Sequence, residues 1–110
     1  MILSTDIWVS ALIRRAELAG AFPAVIRKGD TRAGAVLVKI VNRRAGEARL
    51  YAEAFSTDGD RIWMQPVASQ EETALDAYAE RALRVDPDLW IVEIDDLLGR
   101  HFLTEAVENH

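Results

Sequence analysis

The 110 residues include no cysteine, which excludes disulfides, thiolate nucleophiles and Cys-based zinc or iron–sulfur sites. A reducing compartment fits that absence. Proline is scarce and glycine modest, three and six residues, and neither clusters into a linker or a repeat. No apolar run approaches the roughly 20 residues that cross a bilayer. The first residues, Met-Ile-Leu-Ser-Thr-Asp, carry no basic stretch and no small-residue cleavage pattern, so a signal peptide is not expected and the cytoplasm is the default location. Nucleophile-elbow, phosphate-loop and dinucleotide glycine patterns are missing as well. Gly29 and Gly34 stand too far apart and lack a following Lys-Ser/Thr.

What is present describes one globular domain over 1–110. Half of the residues are hydrophobic and 28% are charged, a composition that supports a single packed core. The net charge of −5 is unevenly distributed. Residues 1–50 hold nine Lys/Arg against four Asp/Glu, and residues 51–110 hold four against fourteen. A basic first half therefore precedes an acidic second half.

Periodicity predicts a helix over 5–19. Ser4 or Thr5 is its cap, Trp8, Leu12, Ala16 and Ala19 form its apolar stripe with Ala11 and Leu18 adjoining, and Gly20 closes it. Residues 22–27 read as an edge strand, since Pro23 cannot donate to a ladder. Residues 35–41 are almost continuously apolar, which predicts a strand covered on both faces. A half-buried strand over 49–55 leads through Asp58-Gly59 into a hairpin partner at 61–65. Ser69-Gln70-Glu71-Glu72 has the form of a capping box opening a second helix, whose stripe is Leu75, Tyr78, Ala79, Ala82 and Leu83. Asp86-Pro87 ends that helix, and 89–95 is a final strand. Residues 100–103 pair briefly, and those after about 105 read as a frayed tail. The order α-β-β-β-β-α-β implies an α+β fold: a mainly antiparallel sheet of about five strands with two helices packed on it. The last strand arrives by a helical crossover, which favours a parallel pairing. Trp8, Trp63 and Trp90 fall in apolar segments and are expected in the core.

Two groups of residues could carry function. The first is basic: Arg14, Arg15, Arg27, Lys28, Arg32, Lys39, Arg43 and Arg44. If the first helix lies beside the first hairpin, Arg14, Arg15, Lys28, Asp30, Arg32 and Lys39 form a binding surface for an anionic ligand or another protein. The bland alternative is a solvated face paired locally with Asp6, Glu17, Asp30 and Glu47. Nucleic acid is disfavoured, because the chain is acidic and most of its eight aromatics lie in core-like positions. The second group is acidic: Asp88, Glu93 and Asp95, with His101. On one strand face Glu93 and Asp95 stand about 7 Å apart, a spacing that suits an acid/base pair or a divalent cation. Solvated strand-end carboxylates and a structural histidine are the ordinary reading, and no metal-ligand spacing backs the sharper one. No cofactor and no metal is expected. Sheet edges at the Asp58-Gly59 hairpin and at the Pro23 strand leave a homodimer by edge pairing open.

Several strings occur together: Trp8-Val9-Ser10-Ala11-Leu12-Ile13-Arg14-Arg15, Lys28-Gly29-Asp30, and Ala33-Gly34-Ala35-Val36-Leu37-Val38-Lys39. To them add Asp86-Pro87-Asp88-Leu89-Trp90-Ile91-Val92-Glu93-Ile94 and Gly99-Arg100-His101-Phe102. In these the chain resembles the alphaproteobacterial domain-of-unknown-function family 1491 over nearly its whole length, the stretch from Ser56 to Gln70 matching least. The resemblance implies a stand-alone bacterial protein of about this size. It brings no catalytic or binding residues.

The leading expectation is thus a binding or accessory domain that uses a basic face. The alternative is a small enzyme built on Asp88, Glu93, Asp95 and His101, with or without a metal.

Overall fold

The computed structural model describes residues 3–108; His110 lies outside them. Helix α1 (Thr5–Leu18) leads into β1 (Phe22–Arg27), β2 (Val36–Asn42), β3 (Glu47–Phe55) and β4 (Arg61–Met64). Helix α2 (Glu72–Val85), β5 (Trp90–Asp95) and β6 (Ala106–Glu108) complete the chain. The six strands make one sheet in the order β1-β5-β2-β3-β4-β6. It is mixed: β1–β5, β2–β3 and β3–β4 are antiparallel, while β2–β5 and β4–β6 are parallel. The helical crossover delivers β5 parallel to β2, as the connection rule requires.

The two helices lie on opposite faces of this sheet, because β2 is apolar on both faces, with Lys39 the one charged residue on the α2 side. Val36, Val38 and Ile40 point into the core under α1 with Trp8, Leu12, Trp63, Trp90 and Val92. Leu37 and Val41 point the other way, toward Leu75 of α2, with Leu50 and Ile91. Gly20, at φ +86°, closes α1: the Gly20 and Ala21 amides donate to the carbonyls of Glu17 and Ala16. All three tryptophans are buried.

Four expectations need correction. The capping box does not form. The Ser69 hydroxyl accepts from the Glu71 amide two residues on, and α2 starts at Glu72 with no side-chain cap. The Glu72 carboxylate is instead drawn to Lys39 and Arg43. Ser4 likewise precedes α1 without capping it, its hydroxyl donating to the Asp6 carboxylate. Residues beyond 105 are not a frayed tail, since Ala106–Glu108 adds a strand beside β4. Leu18 and Ala19, read as part of the buried stripe of α1, are exposed, because the stripe that meets the sheet ends at Ala16.

Candidate functional site

The fold does not bring the basic residues to one face. Lys39 alternates with the α1-facing positions of β2, so it points to the α2 side and is buried. Arg14 and Arg15 sit on α1, across the sheet. Arg14 is exposed, and Arg15 donates through Nε and Nη2 to the Phe102 carbonyl at 3.2 and 3.0 Å. Lys28, Asp30 and Arg32 belong to the loop before β2, which packs on the first turn of α1: the Thr5 and Asp6 amides donate to the carbonyls of Arg32 and Thr31. Arg27 reaches the Pro87 carbonyl at 2.7 Å. Arg43 is committed to carboxylates, as described below.

Asp30 proves to be a turn-former. Its carboxylate accepts from the Ala33 amide, its amide donates to the Asp88 carbonyl, and its carbonyl accepts from the Trp90 indole at 2.7 Å. The loop can fold so tightly only because Gly29 and Gly34 have no Cβ. A methyl there would stand 2.0 and 2.5 Å from the Asp88 carbonyl oxygen. Lys28-Gly29-Asp30 and Asp86-Pro87-Asp88-Leu89-Trp90 therefore clasp one another.

The acidic candidates divide as well. Glu93 and Asp95 do share one face of β5, as their spacing predicts, and that face lies under the start of α2. There the buried Lys39 ammonium meets Glu72, Asp76 and Glu93 at 2.9, 2.9 and 3.0 Å. Each of its three N–H groups thus has a carboxylate partner. Arg43 extends the network to Glu72, Glu93 and Asp95 at 3.3, 3.6 and 3.5 Å. Burial alone would lower the Lys39 pKa, but the three carboxylates outweigh it and hold the ammonium well above its usual range. The hydrogen bond from Lys39 correspondingly holds Glu72 below its ordinary value. His101 lies across the sheet. Its ring meets Tyr51 edge-on at 5.3 Å, and its Nδ1 accepts from the Leu103 amide. Burial lowers its pKa, so it is neutral at pH 7. Asp88 is in a third place, in the turn that receives the Asp30 amide. Glu93/Asp95, His101 and Asp88 do not converge. Among the described residues no group of three His, Cys, Asp or Glu side chains is arranged to hold a metal.

A buried polar cluster on the α1 side had no signal in the sequence. Trp8 and Trp63 stack at 5.2 Å between ring centroids, and their indole N–H groups donate to the two oxygens of one carboxylate, Glu105, at 3.2 and 2.9 Å. The Arg61 guanidinium lies 5.6 Å above the Trp8 ring and pairs with the buried Glu53. Burial pushes Glu53 up. Burial would also raise Glu105, yet the two indole bonds prevail and hold it below its ordinary value. The three partners lie 42 and 97 residues apart in the chain, so no local pattern reveals them.

A sparsely covered apolar surface lies at the end of the sheet where β2 and β5 finish. Phe22 pairs in register with Asp95, the last residue of β5, which places it at the same end of the sheet as Leu97 and Leu98. The Arg100 guanidinium binds the Ala19 carbonyl and Asn42 binds the Leu97 carbonyl, so the ends of α1, β2 and β5 are tied together there. Four large apolar side chains stand out from this end: Leu18, Phe22, Leu97 and Leu98, between 63 and 76% exposed. The adjacent leucines of a short loop were the one available sequence sign. Around them Arg14, Glu17, Arg44 and Glu47 are exposed, a rim of mixed sign. Among the described residues no helix is long and apolar enough to cross a membrane.

Residues 3–104 match the family described as "Protein of unknown function (DUF1491)". Solved structures agree. A crystal structure of a DUF1491 family protein from Caulobacter crescentus CB15 is 70% identical with a TM-score of 0.91, covering 98% of this chain and 99% of that one. An NMR structure of a DUF1491 family protein from the same organism is 71% identical, TM-score 0.92, with 98% of each chain covered. A solution structure of a protein from A. tumefaciens is 37% identical, TM-score 0.81, again with 98% of each chain covered. Comparison with curated proteins finds no match. The match over nearly the full length and the shared fold make this chain a member of the DUF1491 family, whose description assigns no activity.

Proposed function

We propose that the chain is a small binding or accessory domain of the bacterial cytoplasm that docks another protein through the apolar end formed by Leu18, Phe22, Leu97 and Leu98. One observation carries this reading: three separate chain segments deliver large apolar side chains, each well over half exposed, to the same end of the sheet. Exposed apolar side chains gathered at one end of a fold are where interaction sites are found. The mixed rim makes the partner's apolar patch, rather than its net charge, the recognised feature. The arginines of the first half then contribute at the margin through Arg14 and Arg44. Strand addition at the β1 edge is a poorer route, because Pro23 and the bulge between Val25 and Arg27 both blunt it. The enzyme alternative loses its support because the sheet separates Glu93 and Asp95 from His101.

The test is site-specific photo-crosslinking in the producing bacterium. A crosslinker at Leu98 is expected to give a discrete adduct that Phe22→Ser removes, while one at the exposed Asp58 gives none. An adduct of twice the chain mass would identify the partner as a second copy. Identical patterns at both positions would reject the docking end.

A further inference from the structure

We infer that the groove between the C-terminal half of α2 and the sheet is a binding site for an unbranched aliphatic carboxylate, its tail on the sheet and its head at Arg81. This site lies at the start of β2 and β5, the end opposite the proposed docking surface, so the two readings stand or fall separately. Three alanines make the space. Ala35 before β2, Ala52 on β3 and Ala82 on α2 line one opening, with Leu37 and Leu89 beneath. The groove has a volume of about 410 Å³ and a mostly apolar wall, within the range of roughly 300–1,000 Å³ that small-molecule sites span. Protein interiors are close-packed, and a leucine in place of any of these alanines would narrow the opening. The opening explains why only Leu75 of α2 is fully enclosed.

The charges at the mouth select the head group. Two acidic residues line the groove, and neither offers it a free carboxylate: the Glu53 side chain turns to the α1 face. Glu53 pairs with Arg61 and accepts from the Val36 amide, and Asp86 accepts from the Asp88 amide at 3.0 Å. Arg81 is the cation there. Among the described residues its guanidinium makes no hydrogen bond or ion pair. An apolar trough with one unengaged guanidinium in its lining fits a chain with a single carboxylate, which the guanidinium can hold bidentately.

The experiment is a methyl- and amide-resolved NMR titration of the full chain with decanoate below its micelle concentration, with acetate and 1-decanol as controls. Decanoate is expected to bind saturably and shift the methyls of Ala35, Ala52 and Ala82. Acetate should shift nothing, and decanol should bind at least about tenfold more weakly, since it cannot use the charge-assisted bond. Arg81→Gln should weaken decanoate about tenfold or more, and Ala82→Leu should abolish its binding. Equal binding of decanol, an affinity indifferent to Arg81→Gln, or shifts gathered elsewhere would each overturn the site. If Ala82→Leu fails to fold, the Arg81 variant and the shift map still decide.

Discussion

Gly29 and Lys39 show how residues that look like a binding surface become structural once the chain is folded. Gly29 is excluded from carrying a side chain by residue 88, almost sixty positions away. Gly29→Ala must therefore push the loop off Asp88 and free the Trp90 indole from the Asp30 carbonyl. We expect a loss of about 3 kcal/mol, measured by urea unfolding. A loss under 1 kcal/mol would mean that the clasp is slack. Lys39 was legible only in part. Its place in a β-period of two assigns it to the opposite face from Val38 and Ile40, but the charge that meets it comes from α2 and β5. Lys39→Met should cost about 2 kcal/mol at pH 7. This is less than for a fully enclosed pair, because Asp76 and Glu72 are substantially exposed. The pH dependence has a definite sign. The folded-state pKa of Glu72 is depressed, so its contribution is present above the ordinary carboxylate value of 4.5 and is lost as pH falls through the depressed value. The stability gap between wild type and Lys39→Met should therefore narrow as the pH is lowered below 4.5. A gap as wide at pH 3 as at pH 7 would contradict the charge-based account.

At the scale of elements, the strongly periodic segments were readable because each has a local cause. The doubly apolar β2, the Gly20 closure of α1, the Pro23 edge strand and the crossover to β5 were all expected from the chain and are all present. What failed was decided by distant partners. Ser69 and Glu72 have the spacing of a capping box, yet a buried ammonium competes for the same carboxylate and a charge-assisted bond outweighs a neutral cap. Strand β6 is three residues long, too short to declare itself, and it is fixed by Glu105 just before it, through the indoles of Trp8 and Trp63. Glu105→Gln keeps the shape but offers an N–H₂ where one indole N–H needs an acceptor. The expected cost is about 1–2 kcal/mol, with faster amide exchange at 106–108 and a shift in tryptophan emission. Unchanged exchange there would show that β6 holds by its ladder to β4 alone. Acid should mimic the substitution, because a carboxylate held below its ordinary pKa contributes at neutral pH and ceases to as pH falls through that lowered value.

Across the whole molecule the two faces of the sheet are unequally consolidated. Helix α1 buries Thr5, Trp8, Val9, Leu12 and Ala16 and is fastened at its N-terminal end by the loop at 31–34 and near its C-terminal end by Arg100. Helix α2 buries Leu75 alone, and its remaining stripe residues, Tyr78, Ala79, Ala82 and Leu83, are only partly covered. Its N-terminal end is pinned by the Lys39 network, whereas its C-terminal half rests on alanines. Free energy of local opening follows buried apolar contact. Native-state hydrogen exchange should therefore divide the molecule. The amides of β2 and β5, covered on both faces, should exchange only by global unfolding. Those at the C-terminal end of α2 should open at lower free energy, with a smaller denaturant dependence because less surface is exposed. Lys39→Met should extend that sub-global opening to the whole helix while leaving α1 protected, since the network it removes is what fastens the helix N-terminus. Simultaneous loss of protection on both faces would instead make the domain a single cooperative unit, with the alanine-lined gap no weaker than the tryptophan core.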